Sequence, residues 1–89
     1  MLVFTQRHDS RPALQQALDA ASGLKPGSWA SVEALSMLAV EARAQGRPEA
    51  DDLYATARKA AQGLKHGSVE SVRALTWLAR AERDPGRTP

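Results

Sequence analysis

The chain has 89 residues, with 12 Lys and Arg against 10 Asp and Glu, a formal net charge of +2 and no cysteine. That length allows one small domain with a modest core, and the lack of cysteine excludes disulfides and thiolate metal sites as its staples. No run approaches the roughly 20 apolar residues of a membrane span, and Met1 to His8 is too short in apolar residues for a signal peptide, so a cytoplasmic protein is expected.

Alanine is the commonest residue, and the aromatics are two Trp, one Tyr and one Phe. Alanine is the best helix former, and its small side chain lets helices approach closely. No alternation of apolar and polar residues persists, so the composition predicts an all-α fold. The sequence pI of about 9.5 reflects a small excess of arginine. Because the basic residues are interspersed with acids, they read as a mixed, solvated surface rather than a nucleic-acid footprint.

Residues 1–9 form an N-terminal arm in which Leu2-Val3-Phe4 is apolar and the rest polar. A first helix is predicted over about 10–22. Asp9 or Ser10 supplies its cap, Pro12 sits in its first turn, and Leu14, Ala17, Leu18 and Ala21 mark one face. Gly23 is expected to end it in the left-handed conformation. Lys25-Pro26-Gly27-Ser28 connects to a second helix over 29–45. Ser28 is its predicted N-cap, and Val32, Leu35, Leu38, Ala39 and Ala42 form its inward stripe. Arg43 suits the negative end of its dipole, and Gly46 stops it.

A third helix is predicted over 48–62, opening on Pro48 with Glu49, Asp51 and Asp52 in its first turn. Ala50, Leu53, Tyr54, Ala57 and Ala61 are its apolar stripe, and Gly63 closes it. A fourth helix follows over 69–83, with Val72, Leu75, Leu78 and Ala79 expected inward. The domain is thus 10–84, and 85–89 is a breaker-rich tail expected to fray. Short connections make neighbouring helices antiparallel.

The chain is organised around an internal repeat. Gly23 to Ala39 returns without a gap 40 residues later as Gly63 to Ala79, so the four helices are a duplicated hairpin of the α-solenoid kind. The second and third helices resemble a tetratricopeptide repeat, in its longer, kinesin-light-chain form. Ala34-Leu35 and Leu38-Ala39, the turn Gln45-Gly46-Arg47, then Ala50, Tyr54 and Ala57 carry the resemblance, with His66 in the inter-repeat loop. It implies that each A helix packs on its own B helix and on the next A helix. By that register the chain reads B, A, B, A. The turn after Gly46 is one residue short of the pattern, and Ala42 and Glu82 stand where an aromatic is common.

The resemblance places Glu33, Ser36, Met37, Val40 and Arg43, then Arg73, Thr76, Trp77, Arg80 and Arg83, along the exposed side of the two A helices. Trp and Arg are enriched at binding hot spots, and arginine grips carboxylates with two hydrogen bonds. Arg73, Trp77, Arg80, Arg83, Met37 and Val40 are therefore the expected partner-binding residues, and an acidic protein or peptide segment is the expected ligand. The family's carboxylate-binding residues are not reproduced as a set, so that specific activity does not carry over. No metal site, cofactor or catalytic constellation is expected: His8 and His66 lack a second ligand at helical spacing, and Gly23 to Ser28 lacks a phosphate loop's length and ending.

The expectation is a non-enzymatic interaction module or adaptor. It uses the second and fourth helices to bind a partner or to self-associate, as a homodimer or in a hetero-assembly. The rivals are a small nucleic-acid-binding protein, drawing on Arg58, Lys59, Lys65, Arg73, Arg80, Arg83 and Arg87, and a structural subunit of a larger assembly.

Overall fold

A computed structural model of the chain describes residues 12–82. The arm 1–9, the expected cap at Asp9 or Ser10, Arg83 and the tail 85–89 lie outside the described residues. Within them the fold is all-helical, with α1 Ala13–Ala21, α2 Trp29–Ala44, α3 Ala50–Gln62 and α4 Val69–Glu82. Successive helices run antiparallel. α2 packs broadly on both α3 and α4, which touch each other only lightly, while α1 meets no helix but α2.

The central place of α2 follows from its composition. Its residues are apolar on two sides rather than one, and such a helix is stable only between neighbours. Val32 and Leu35 cluster with Ala57, Ala61 and Ala74, and Leu53, Ala60, Leu64, Leu75 and Leu78 close around them. Val32, Ala39, Ala42, Ala57 and Ala74 are wholly buried. The core is thus two aliphatic side chains of one helix set into alanine surfaces on two others, which brings the backbones close.

Local hydrogen bonding explains where the helices begin and end. Ser28 caps α2 as expected, its Oγ accepting from the Ser31 N–H at 3.2 Å. Ser68 does the same for α4, accepting from the Ser71 N–H at 3.1 Å. Serine at the third helical position takes the reciprocal role usual for Glu or Gln, since Ser71 Oγ accepts from the Ser68 N–H at 3.0 Å. The two copies diverge one residue upstream. Ser31 donates its hydroxyl to the Lys25 carbonyl at 2.8 Å. Ser71 instead accepts from the Gly67 N–H at 3.2 Å, and Gly67 takes φ +114°, a conformation that Gly27 does not share.

α2 ends in a Schellman turn. Arg47 N–H donates to the Ala42 carbonyl at 2.8 Å and Gly46 N–H to the Arg43 carbonyl at 3.1 Å, with Gly46 at φ +72°. Gly23 and Gly63 depart from expectation. Neither takes a positive φ, because α1 and α3 close with tighter bonds, Gly23 N–H to the Ala20 carbonyl and Gly63 N–H to the Ala60 carbonyl, both at 3.2 Å. α1 starts at Ala13 with Pro12 in the cap position rather than inside the first turn. α3 starts at Ala50, two residues later than predicted. Pro48 and Glu49 form a turn, so only Asp51 and Asp52 are acids of its first turn.

The inward face of α4 also differs. Ser71, Ala74 and Ala81 are its buried residues, whereas Val72 is 64% exposed and Ala79 is exposed. Leu75 and Leu78 are half-buried. The expected stripe is therefore split: Leu75 and Leu78 pack against the Val32–Leu35 cluster beside Ala74, while Val72 and Ala79 stay open. Ala17 of α1, also expected inward, is exposed.

Candidate interaction surface

Tethers between elements fix the shape of the surface. Arg43, expected along the open face, bridges instead: its guanidinium donates to the Ala81 carbonyl at the end of α4 and to Asp51 Oδ1 at 2.9 Å at the start of α3. It thereby satisfies one of the last carbonyls of α4, which has no partner within the helix. Ser36, expected on the same face, is wholly buried, and its Oγ has no hydrogen-bond partner. Both residues sit on the side of α2 that enters the α3–α4 seat.

Arg47 tethers α1, donating to Gln15 Oε1 at 2.7 Å and pairing with Glu49 at 3.0 Å. The hydrogen bond from Arg47, aided by a backbone bond, holds the Glu49 carboxyl below its ordinary range. Trp29 spans to the loop between α3 and α4, its Nε1–H donating to the Lys65 carbonyl at 2.8 Å. Its ring meets His66 edge-on, with centroids 5.4 Å apart. Trp29 was not singled out from the sequence, because a Trp at the first position of a helix carries no periodic signal.

An open apolar groove of about 690 Å³ runs between α1 and α2 on the side away from α3 and α4. Ala17, Ala21, Ala34, Leu35, Met37 and Leu38 line it, and Leu24 stands at one end. Its polar end holds Glu41 and Gln45, which bond to each other at 2.7 Å. A smaller crevice of about 400 Å³ separates α1 from α3 and carries Gln15, Asp19, Glu49 and Asp52 on its walls.

The large hydrophobic residues exposed among those described are four. Leu24 at 39% and Met37 at 42% belong to the groove, while Val69 at 69% and Val72 at 64% lie on the free side of α4. The expected partner-binding residues divide likewise. Met37 is in the groove, and Val40 is half-buried on α2. On α4, Arg73 and Arg80 are exposed and Trp77 is half-buried, with the Arg80 guanidinium 5.0 Å from the Trp77 ring centroid. That cation–π contact is worth about 0.5–1 kcal/mol at an exposed site and holds the arginine over the indole. Thr76 is exposed, its hydroxyl donating to the Val72 carbonyl at 2.8 Å.

No helix among the described residues is long and apolar enough to cross a membrane, and no group of three His, Cys, Asp or Glu there could hold a metal ion. No protein-family model matches the chain, and no curated protein or solved structure matches it significantly.

Proposed function

We propose that the chain is a non-enzymatic, tetratricopeptide-like interaction module of the cytoplasm that binds a helical protein segment through α2 and α4. The observation that carries this reading is the unfilled apolar groove between α1 and α2. Exposed contiguous apolar surface of this kind marks partner sites, and an α-helix laid by its apolar face is the occupant such grooves take. The acidic preference attaches to α4, where Arg73 and Arg80 flank Trp77, and not to the groove, whose polar end is Glu41 and Gln45.

Selection of amphipathic helical peptides from a display library on the immobilised chain tests the reading. Binders are expected that lose affinity on Met37→Lys, a substitution at an exposed position that leaves helicity unchanged. A selection that yields no binder sensitive to Met37→Lys overturns it. The nucleic-acid rival draws on Arg58, Lys59, Lys65, Arg73 and Arg80, all exposed, and predicts oligonucleotide binding that falls steeply with salt. Exposed Asp51, Asp52, Glu70 and Glu82 break up that positive surface and disfavour it.

A further inference from the structure

The α1–α2 groove is a copy of a seat that the molecule already fills. Val32 and Leu35 of α2 are held by Ala57, Ala60, Ala61 and Leu64 on the α3 side and by Ala74 and Leu78 on α4. Forty residues earlier stand Ala17, Ala20, Ala21, Leu24, Ala34 and Leu38, the same residue type at all six positions, while Leu53, which also packs there, has the smaller Ala13 as its counterpart. All six line the open groove. The plug is copied as well. Val72, Leu75 and Ala79 of α4 stand where Val32, Leu35 and Ala39 stand in α2, again with identical residues. Val32 and Ala39 are wholly buried, whereas Val72 and Ala79 are exposed and Leu75, half-buried against the Val32–Leu35 cluster, is only partly free.

We infer that the free face of α4 in one copy of the chain docks into the α1–α2 groove of another. This rests on the interaction-module reading and names its partner as a second copy joined head to tail. Each copy carries one plug and one socket, so the contact is heterologous and growth continues until a ring closes or a filament forms. The joint accounts for all four large hydrophobics exposed among the described residues: Leu24 and Met37 in the socket, Val69 and Val72 on the plug. One departure opposes it. Glu82 stands in the place of buried Ala42, and Glu41, in the place of Ala81, waits at the matching end of the socket. Like charges there weaken the joint, so Glu82→Ala should tighten it.

The test is sedimentation of the whole chain over a range of concentration, with one variant for each half of the joint. Val72→Lys removes the plug and Ala17→Lys the socket, both at exposed positions, with Ala34→Lys as a second socket variant should Ala17→Lys disturb folding. The wild type is expected to associate beyond dimer. Each variant alone should be at least ~10-fold weaker, and an equimolar mixture of the two should form a discrete one-to-one complex. A monomeric wild type, or an Ala17→Lys variant that self-associates as the wild type does, overturns the inference. Titration with a peptide of residues 67–83 separates the two levels. Peptide binding by a monomeric chain leaves the module reading intact and removes only self-association, whereas failure of both removes both.

Discussion

Trp29 joins the start of α2 to the loop before α4, and it does so with one hydrogen bond and one edge-on ring contact. Trp29→Phe keeps the ring contact and loses the bond, so about 1 kcal/mol of stability should disappear. Trp29→Ala loses both and should cost about 2–3 kcal/mol for a half-buried indole. The two denaturation midpoints, measured together, separate the bond from the packing. Ser36 offers the opposite case. Its buried Oγ has no partner, so Ser36→Ala removes an uncompensated desolvation and should raise stability by about 1 kcal/mol in urea unfolding. Three of these residue-scale roles were hidden in the sequence: Ser36 and Arg43 were expected on an open face, and Trp29 drew no expectation. The burial of Ser36 and the tethers of Arg43 and Trp29 all depend on other elements, and periodicity within a helix cannot report them.

The ends of the elements were far more legible, because caps are local chemistry. Ser28 and Gly46 do what their positions in the chain predict, within a few residues of themselves. Gly46→Ala should cost about 1 kcal/mol, since the space beside it is open and only the left-handed backbone penalises a side chain. Gly67→Ala, at φ +114°, should cost more, and Gly27→Ala, its repeat counterpart without a positive φ, should cost nothing comparable. Thermal melts of the three variants would rank them. The α2–α3 turn also carries a pH term. The native Glu49 carboxyl titrates below its ordinary range because Arg47 donates to it. Its contribution is therefore present in full above the ordinary carboxylate range and is lost as pH falls through the lowered native value. Glu49→Gln should remove that part of the acid sensitivity. An unchanged slope of stability against pH in the acid range would count against the pairing. Because Arg47 also holds Gln15, the same turn sets how firmly α1 lies against α2.

At the scale of the whole molecule, the internal repeat leaves α2 and α4, which carry its two copies, in unequal positions. α2 has neighbours on two sides: α1 on one, α3 and α4 on the other. α4 has a neighbour on α2's side and keeps Val69 and Val72 in the open. A solenoid is stabilised by each repeat covering the next, and an uncovered end leaves apolar surface that a cap or a partner must take. The open α1–α2 groove and the exposed valines of α4 are surfaces of that kind, and the proposed joint brings them together. The association of whole chains is accordingly the property in which substitutions at Val72, Ala17 and Glu82 should show themselves, with little change in the stability of the single chain.

The amino-acid sequence by itself determined the four helices, their order, their antiparallel course and the 40-residue duplication, because helix periodicity, capping and short connections act over a few residues. The inward faces of α2 and α3 were legible too, but which side of α4 is buried was a tertiary decision. In sequence α4 is a near-copy of α2, with Val72, Leu75 and Ala79 repeating Val32, Leu35 and Ala39. The copied stripe was expected to turn inward. Leu75 packs against the Val32–Leu35 cluster, but Val72 and Ala79 stay open, because among the described residues no helix pair covers them as α3 and α4 cover Val32, and α4 meets α2 with Ser71, Ala74 and Ala81. Identical residues thus become core in one place and open surface in the other, since burial depends on what stands opposite a side chain and not on the side chain alone.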